Sequence, residues 1–212
     1  MRTEKEFLIY LEEIKKIARE EGYDSLDETY VEHLRARFLG KDVVIGKTDR
    51  LILREIKESD LDAFYGFEDA KEEAILQTFL KETKEESLEN IKAYIGHMYP
   101  MYDYGIWTVQ KKDTGEIIGL CGLGQNDVNG EYCIDLGYYI CPKRRKLGYA
   151  SECIEFVLDY AKNYLEFSVV YAIIKEENRI SKGILRKFGF EFVDKYEKSQ
   201  EIMSLYRKDM AE

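Results

Sequence analysis

The sequence predicts a mixed α/β domain of the α+β kind: a mostly antiparallel central sheet flanked by helices, with an extra helical segment ahead of it. Three observations carry that reading. Residues 4–39 place apolar side chains at helical spacing, residues 49–56 and 106–140 read as strands, the latter joined by glycine-bearing turns, and residues 135–174 run strand, basic loop, helix, strand. Tight turns join antiparallel neighbours, whereas a strand reached through a helix makes a βαβ-like unit.

With 212 residues the chain can bury the core of one domain and carry an appendage. Its 42 acidic against 32 basic residues leave a net charge of −10, which argues against duplex nucleic acid as the main partner, because phosphate binding rests on clustered cations. Acidity suits a cationic partner such as an amine. Cys121, Cys133, Cys141 and Cys153 show no C-x-x-C spacing and the histidines are His33 and His97, so reduced thiols and no metal site are expected. The opening Met-Arg-Thr-Glu-Lys-Glu leads into no signal-type apolar core, and no run reaches membrane-spanning length. A cytoplasmic chain with no membrane partner is the expectation.

In order, Phe7, Leu8, Leu11, Ile14, Ile17 and Ala18 form the apolar stripe of a first helix that Gly22 stops. Asp24, Ser25 or Asp27 caps a second, carrying Leu26, Tyr30, Val31, Leu34 and Phe38 up to Gly40. Two short amphipathic helices cannot bury both stripes alone, so they dock on the body of the chain or on a second copy in a homodimer. Asp49–Ile56 alternates as a half-buried strand does, and Ser59 and Asp60 introduce a helix through Leu61, Phe64, Tyr65 and Phe67. A charged, aromatic segment follows, with a helix over 87–99 and a break at Pro100.

Ile106–Gln110 and Ile117–Leu123 make a hairpin in which Gly115 supplies the positive φ of the turn. A second turn at Val128-Asn129-Gly130-Glu131 leads into Tyr132–Ile140, and Trp107 reads as core. Further on, Ala150, Cys153, Ile154, Val157, Leu158 and Ala161 form one helix face, and Val169–Ile174 reads as a continuous apolar strand buried on both sides.

Chemistry concentrates between Asp135 and Ala150. The strand ends at Pro142, Lys143, Arg144, Arg145 and Lys146 precede Gly148, and a helix opens near Tyr149. A helix start offers unpaired N–H groups and the positive end of the dipole, and a glycine lets a diphosphate approach the backbone. Neither G-x-x-x-x-G-K-[ST] nor G-x-G-x-x-G is present. Instead Arg145-x-x-Gly148-x-Ala150 resembles the R/Q-x-x-G-x-G/A acetyl-coenzyme A loop of the GNAT superfamily of N-acetyltransferases. The run TDRLILREIKESDLDAFYGF from Thr48 to Phe67 is similar to the T-x-R-L-x-L-R-x-x-x-x-x-D opening of one GNAT branch, which contains the ribosomal-protein N-terminal and spermidine acetyltransferases. Asn178-x-x-Ser181 through Lys187-x-Gly189-Phe190 resembles the N-x-x-S-x-x-x-x-x-K-x-G-F segment of that branch. The resemblance spans residues 48–196, implying a helical extension over 1–46 and an acetyltransferase domain over 47–212.

That resemblance implies acetyl-CoA as co-substrate and direct transfer, in a ternary complex, to the primary amine of a small molecule, polyamine or protein N-terminus. The strand before the loop is then expected to splay from its neighbour. Backbone groups of Tyr138, Tyr139 and Ile140 would pair with the pantetheine amides, an N–H near Ile140 polarising the thioester carbonyl. Arg145, Lys146 and the amides of Leu147, Gly148, Tyr149 and Ala150 would hold the diphosphate. Asp135, where relatives often carry glutamate, would receive the amine proton directly or through water; a structural aspartate paired across the sheet is the other reading. Ser181 matches a serine near the coenzyme sulfur and would donate a hydrogen bond to the leaving thiolate, while the late tyrosine of many relatives is replaced by Leu185. Asn178 would hydrogen-bond pantetheine or an ordered water.

Read from the residues alone, Asn178 or Ser181 is the cap of a short amphipathic helix and Gly189 its αL stop. Cys141 reads as a packing residue rather than a nucleophile. Glu68, Asp69, Glu72 and Glu73 either attract the amine or form a solvated helix face. Two other functions stand beside the transferase: a coenzyme-A-binding sensor on the same fold whose catalytic groups have drifted, and an interaction protein using the N-terminal helices.

Overall fold

The computed structural model describes residues 2–128, 130–198 and 200–210; Asn129 of the expected second turn lies outside them. The chain opens with α1 (Glu4–Glu20), where the Thr3 hydroxyl accepts from the Glu6 N–H and the Glu6 carboxylate accepts from the Thr3 N–H. Asp27 caps α2 (Glu28–Leu39) by accepting from Thr29 and Tyr30, and Gly40 closes it at φ 67°. The two helices share a small cluster around Phe7, Leu11 and Leu34, separate from the main core. Leu8 and Ile17, expected in the apolar stripe, are exposed, because α1 packs chiefly on α2 and a narrow face suffices.

Polar contacts fix this pair of helices to the body. Arg37 lies 2.6 Å from both Glu55 and Asp103, and His33 Nδ1 lies 3.0 Å from the same Asp103. The Tyr164 hydroxyl donates to Asp103 at 2.6 Å. Burial pushes the Asp103 carboxyl up, but these hydrogen bonds more than offset it and hold it below the usual aspartate value. The helices dock on their own chain.

Among the described residues, eight strands form one sheet: β1 (Val44–Lys47), β2 (Leu51–Arg54), β3 (Ile106–Lys111), β4 (Ile117–Val128), β5 (Glu131–Ile140), β6 (Val169–Lys175), β7 (Glu191–Lys198) and β8 (Glu201–Asp209). Their order is β1-β2-β3-β4-β5-β6-β8-β7, and only β5 and β6 run parallel. The expected boundary at 46/47 falls inside β1, which pairs with β2. A Cβ at Gly46 would lie 2.1 Å from the Phe156 ring, so a side chain there would require that ring to shift.

Helices α3 (Leu61–Tyr65), α4 (Ala74–Gln77) and α5 (Lys84–Tyr102) fall between β2 and β3, α6 (Tyr149–Asn163) between β5 and β6, and α7 (Arg179–Lys187) between β6 and β7. Asp60 does not cap α3 through its side chain. It pairs instead with buried Arg54, two 2.7 Å bonds, and accepts from Thr108 at 2.8 Å. Pro100 does not break α5, which runs on to Tyr102; this close to the helix end the lost N–H forfeits a single bond.

Alternation along the strands sorts side chains into two layers. Trp107 meets Tyr160 of α6 edge-on at 5.2 Å, and Cys121 lies against Cys153 of the same helix. On the opposite face a Cβ at Gly137 would lie 3.2 Å from Ile75 of α4. β6 departs from the expectation of a strand buried on both sides: Val170 and Ala172 are buried, while Val169, Tyr171, Ile173 and Ile174 are half-buried.

Candidate active site

The site starts from a fork in the sheet. β4 and β5 pair from Gly119↔Ile140 to Val128↔Glu131, whereas β5 and β6 share a single register position, Asp135↔Tyr171. Past Asp135 the ladder between β5 and β6 stops, and the C-terminal half of β5 has one unpaired edge. Which groups face that edge follows from the antiparallel ladder on the other side. The Cys141 N–H donates to the Ile118 carbonyl at 2.8 Å. Tyr139, two residues back, therefore also turns its backbone toward β4, and a Cβ on Gly119 would sit 2.0 Å from the Tyr139 carbonyl oxygen. Tyr138 and Ile140 have their backbone groups on the open edge. Tyr139 thus differs from the expectation: it reaches the site through its phenol, which donates to Asp69 at 2.5 Å.

A 3-10 turn over Pro142–Arg144 leads from β5 to α6, with Lys146 at φ 62° and Gly148 at φ 85°. That left-handed backbone favours glycine at 148. No side chain caps the start of α6, so its first N–H groups are available to a ligand.

The cluster of cations is largely compensated. Lys143 pairs with Glu68 at 2.9 Å and Arg144 with Glu116 at 2.7 Å. Arg145 spans Asp69 at 2.5 Å and Glu73 at 3.2 Å, and its Nε donates to the Ile140 carbonyl at 2.8 Å. Among the described residues, Lys146 is the loop cation with no acidic partner shown. Arg145 therefore ties the strand end to the acidic segment. Glu68, Asp69 and Glu73 are ion-pair partners of this loop, not a wholly solvated face. Burial pushes the Glu73 carboxyl up despite Arg145.

Sequence reasoning missed Arg50 as a site residue. Its Nη1 donates to the Leu147 carbonyl at 3.0 Å, its guanidinium lies 4.4 Å over the Tyr149 ring, and it pairs with Glu152 at 2.6 Å. Glu152 in turn accepts from the Thr48 hydroxyl. The signal was present as Thr48-x-Arg50, which served only as a family marker.

Asp135 stands at the vertex of the fork. Its side chain shares the face of Gly137 and Tyr139, and it accepts from the Asn126 amide across the sheet at 2.9 Å. Burial pushes its carboxyl above the ordinary aspartate value. Both readings of this residue have an observation behind them, a cross-strand partner and a raised affinity for a proton.

Ser181 is buried on α7, and its N–H donates to the Asn178 side-chain carbonyl at 3.0 Å, so Asn178 caps the helix. Ser181 adjoins Tyr138 on the α6 side of the sheet. Asp135 and Ser181 thus occupy opposite faces, with the open edge of β5 between them. Leu185 is fully buried. Burial raises the Cys121 and Cys141 thiols and takes Cys133 to about 11. A surface groove beside the loop is lined by Tyr65, Phe67, Glu68, Asp69, Glu72 and Glu86, among others. Among the described residues no cluster of three or more His, Cys, Asp or Glu could hold a metal ion, and no helix is long and apolar enough to cross a membrane.

The chain is similar to known proteins. The profile of the acetyltransferase (GNAT) domain matches residues 50–191. The uncharacterized N-acetyltransferase YoaA of Bacillus subtilis (strain 168) is 32% identical over 151 residues, 68% of this chain and 81% of that protein. A GNAT-family acetyltransferase from Bacillus anthracis superposes with a TM-score of 0.61 at 18% identity, covering 78% of this chain and 98% of that one. RimL, the ribosomal L7/L12 alpha-N-protein acetyltransferase, in complex with coenzyme A, superposes at 0.62 with 15% identity, covering 78% and 97%. Because the family profile takes in well over half of the chain, and the fork, glycine loop and helix start lie within it, the chain belongs to the GNAT acetyltransferases, acyltransferases whose co-substrate is acetyl-CoA.

Proposed function

We propose that the protein transfers the acetyl group of acetyl-CoA directly to a primary amine of a small molecule, a polyamine or a protein N-terminus, within a ternary complex. The observation that carries this reading is the end of β5–β6 pairing at Asp135↔Tyr171, just ahead of the uncapped start of α6. The pantetheine arm would lie along the open edge of β5, where Tyr138 and Ile140 offer backbone donors and acceptors. The Ile140 N–H would polarise the thioester carbonyl, and the amides of Leu147, Gly148, Tyr149 and Ala150, aided by Lys146, would hold the diphosphate. The Ile140 carbonyl keeps a lone pair beside the bond from Arg145.

Asp135, with its raised pKa, is suited to take a proton from the incoming ammonium directly or through water. Ser181 is assigned to the leaving thiolate, and Asn178, its carbonyl used as a cap, retains amide N–H groups for pantetheine or an ordered water. Direct transfer is favoured over an acyl-enzyme because burial disfavours the thiolate at Cys121, Cys133 and Cys141. The acid-rich, aromatic groove supports a cationic acceptor, and the likeness to RimL supports keeping a protein N-terminus among the candidates. We place the activity in the cytoplasm.

The test is release of the coenzyme thiol from acetyl-CoA against a polyamine, an aminoglycoside, a small amino metabolite and a peptide with a free N-terminus. Amine-dependent release without a burst in its absence is expected. An amine-independent burst would indicate an acyl-enzyme, and coenzyme binding with no turnover on any amine would replace the transferase by a sensor.

A further inference from the structure

The side-chain hydroxyl of Tyr138 has no part in the roles assigned above, which use only its backbone. Its direction is set by register. Its cross-strand partner Cys121 lies against Cys153 of α6, whereas Gly137 and Tyr139 on either side point to the other face, toward Ile75 and Asp69. The Tyr138 ring therefore lies on the face that α6 and α7 cover, alongside the open edge of β5. On that face the Ser181 side chain adjoins the hydroxyl, outside hydrogen-bond geometry.

The Tyr138 hydroxyl oxygen is shielded from solvent and has no hydrogen-bond partner. A buried phenol left unpaired costs stability that a phenylalanine of the same shape would recover. The hydroxyl thus makes no evident contribution to the resting fold. Leu185, on the same helix as Ser181, is fully buried and has no proton to offer.

We propose that Tyr138 is a positioning residue for Ser181, the second hydroxyl of a two-membered donor chain aimed at the leaving sulfur; this rests on the acetyl-transfer reading above. In the step it serves, the amine lone pair forms the N–C bond to the thioester carbon and the carbonyl π pair moves onto oxygen. When that pair returns, the C–S bond breaks and its electrons leave on sulfur. The proton shed by the amine passes to Asp135 or water. Ser181 O–H donates to the thiolate, and its oxygen accepts from Tyr138 O–H. Neither hydroxyl loses its proton, and sulfur is protonated from solvent on release. A hydrogen bond received by Ser181 polarises the one it donates, so the chain strengthens as charge develops on sulfur.

The test uses the full chain as wild type, Tyr138→Phe, Ser181→Ala and the double variant. The thiol of bound coenzyme A is titrated by the ultraviolet absorbance of its thiolate, binding is measured by calorimetry, and kcat and KM are measured with an amine that the wild type acetylates. Tyr138→Phe is expected to raise the bound thiol pKa by about one unit and lower kcat about tenfold, with coenzyme affinity and KM unchanged and the melting temperature equal or higher. In the Ser181→Ala background the same change is expected to have no effect on either readout. A wild-type thiol titration and kcat in Tyr138→Phe overturns the proposal, as does an equal fractional loss in both backgrounds or a loss that follows a lowered melting temperature. A wild type that binds no coenzyme A removes the acetyl-transfer reading and this inference together, whereas binding with an unaltered titration in Tyr138→Phe removes this inference alone.

Discussion

Asp135 meets two opposed demands. Burial raises its pKa, so in the folded protein the carboxylate is disfavoured relative to the unfolded chain. Its favourable contribution to folding is complete below the ordinary aspartate value of about 3.9 and fades as pH rises through the raised one. A proton acceptor needs the opposite form. Activity should therefore fall as pH drops through a point above that ordinary value. Asp135→Asn should remove this acid limb, lower kcat by roughly a hundredfold or more, and leave the melting temperature at neutral pH unchanged or raised. A pH profile of kcat/KM with a thermal melt on the same variant checks all three; an intact acid limb in Asp135→Asn would reassign the base.

Among the elements, the turn from β5 into α6 was the most legible. Arg145-x-x-Gly148 and the periodic face from Ala150 to Ala161 marked loop and helix, and Gly148 indeed takes a positive φ. Gly148→Glu should cost coenzyme A at least a hundredfold in affinity, by placing a carboxylate where the diphosphate would lie and straining the backbone. Calorimetry on a variant that retains its circular dichroism tests this, and unchanged affinity would move the diphosphate elsewhere. What stayed hidden was non-local. The acids that neutralise Lys143, Arg144 and Arg145 lie about 28 to 76 residues earlier in sequence, and spacing along the chain carries no sign of which will meet. Tyr139 could not be oriented without the ladder register, because a shift of one residue exchanges the two edges of a strand. The β7–β8 hairpin went unread since β7 is nearly all exposed and lacks an apolar run. β1 is four residues long, too short to show a period.

For the whole molecule, the question is what holds the first two helices to the sheet domain. The apolar cluster they share is small, Ala36 of α2 packs on the main core, and the polar bond to the body runs through Arg37, His33, Glu55, Asp103 and Tyr164. Arg37→Met leaves two buried carboxylates without their cation and should destabilise the protein by about 3–5 kcal/mol. Asp103 contributes an acid-sensitive part of this attachment, while burial pushes the neighbouring Glu55 carboxyl up. The Asp103 pKa is lowered on folding, so its contribution is complete above the ordinary aspartate value and is lost as pH falls through the depressed one. Urea melts of both proteins from neutral pH downward would show a wild-type curve falling toward acid and an Arg37→Met curve lower at neutral pH. Equal midpoints at neutral pH would mean that apolar packing alone secures the extension.

Because Asp135 and Ser181 lie on opposite sides of the sheet, the fork is in effect a slot in a wall. On the proposed chemistry the amine approaches from the side of α3, α4 and α5, the sulfur is met from the side of α6 and α7, and bond exchange takes place within the thickness of the sheet. The acetylated product and the spent coenzyme then have separate exits, so neither has to leave before the other. A molecule joining an amine covalently to coenzyme A would be threaded through the slot, held from both sides at once, and could withdraw only along the direction by which the coenzyme entered.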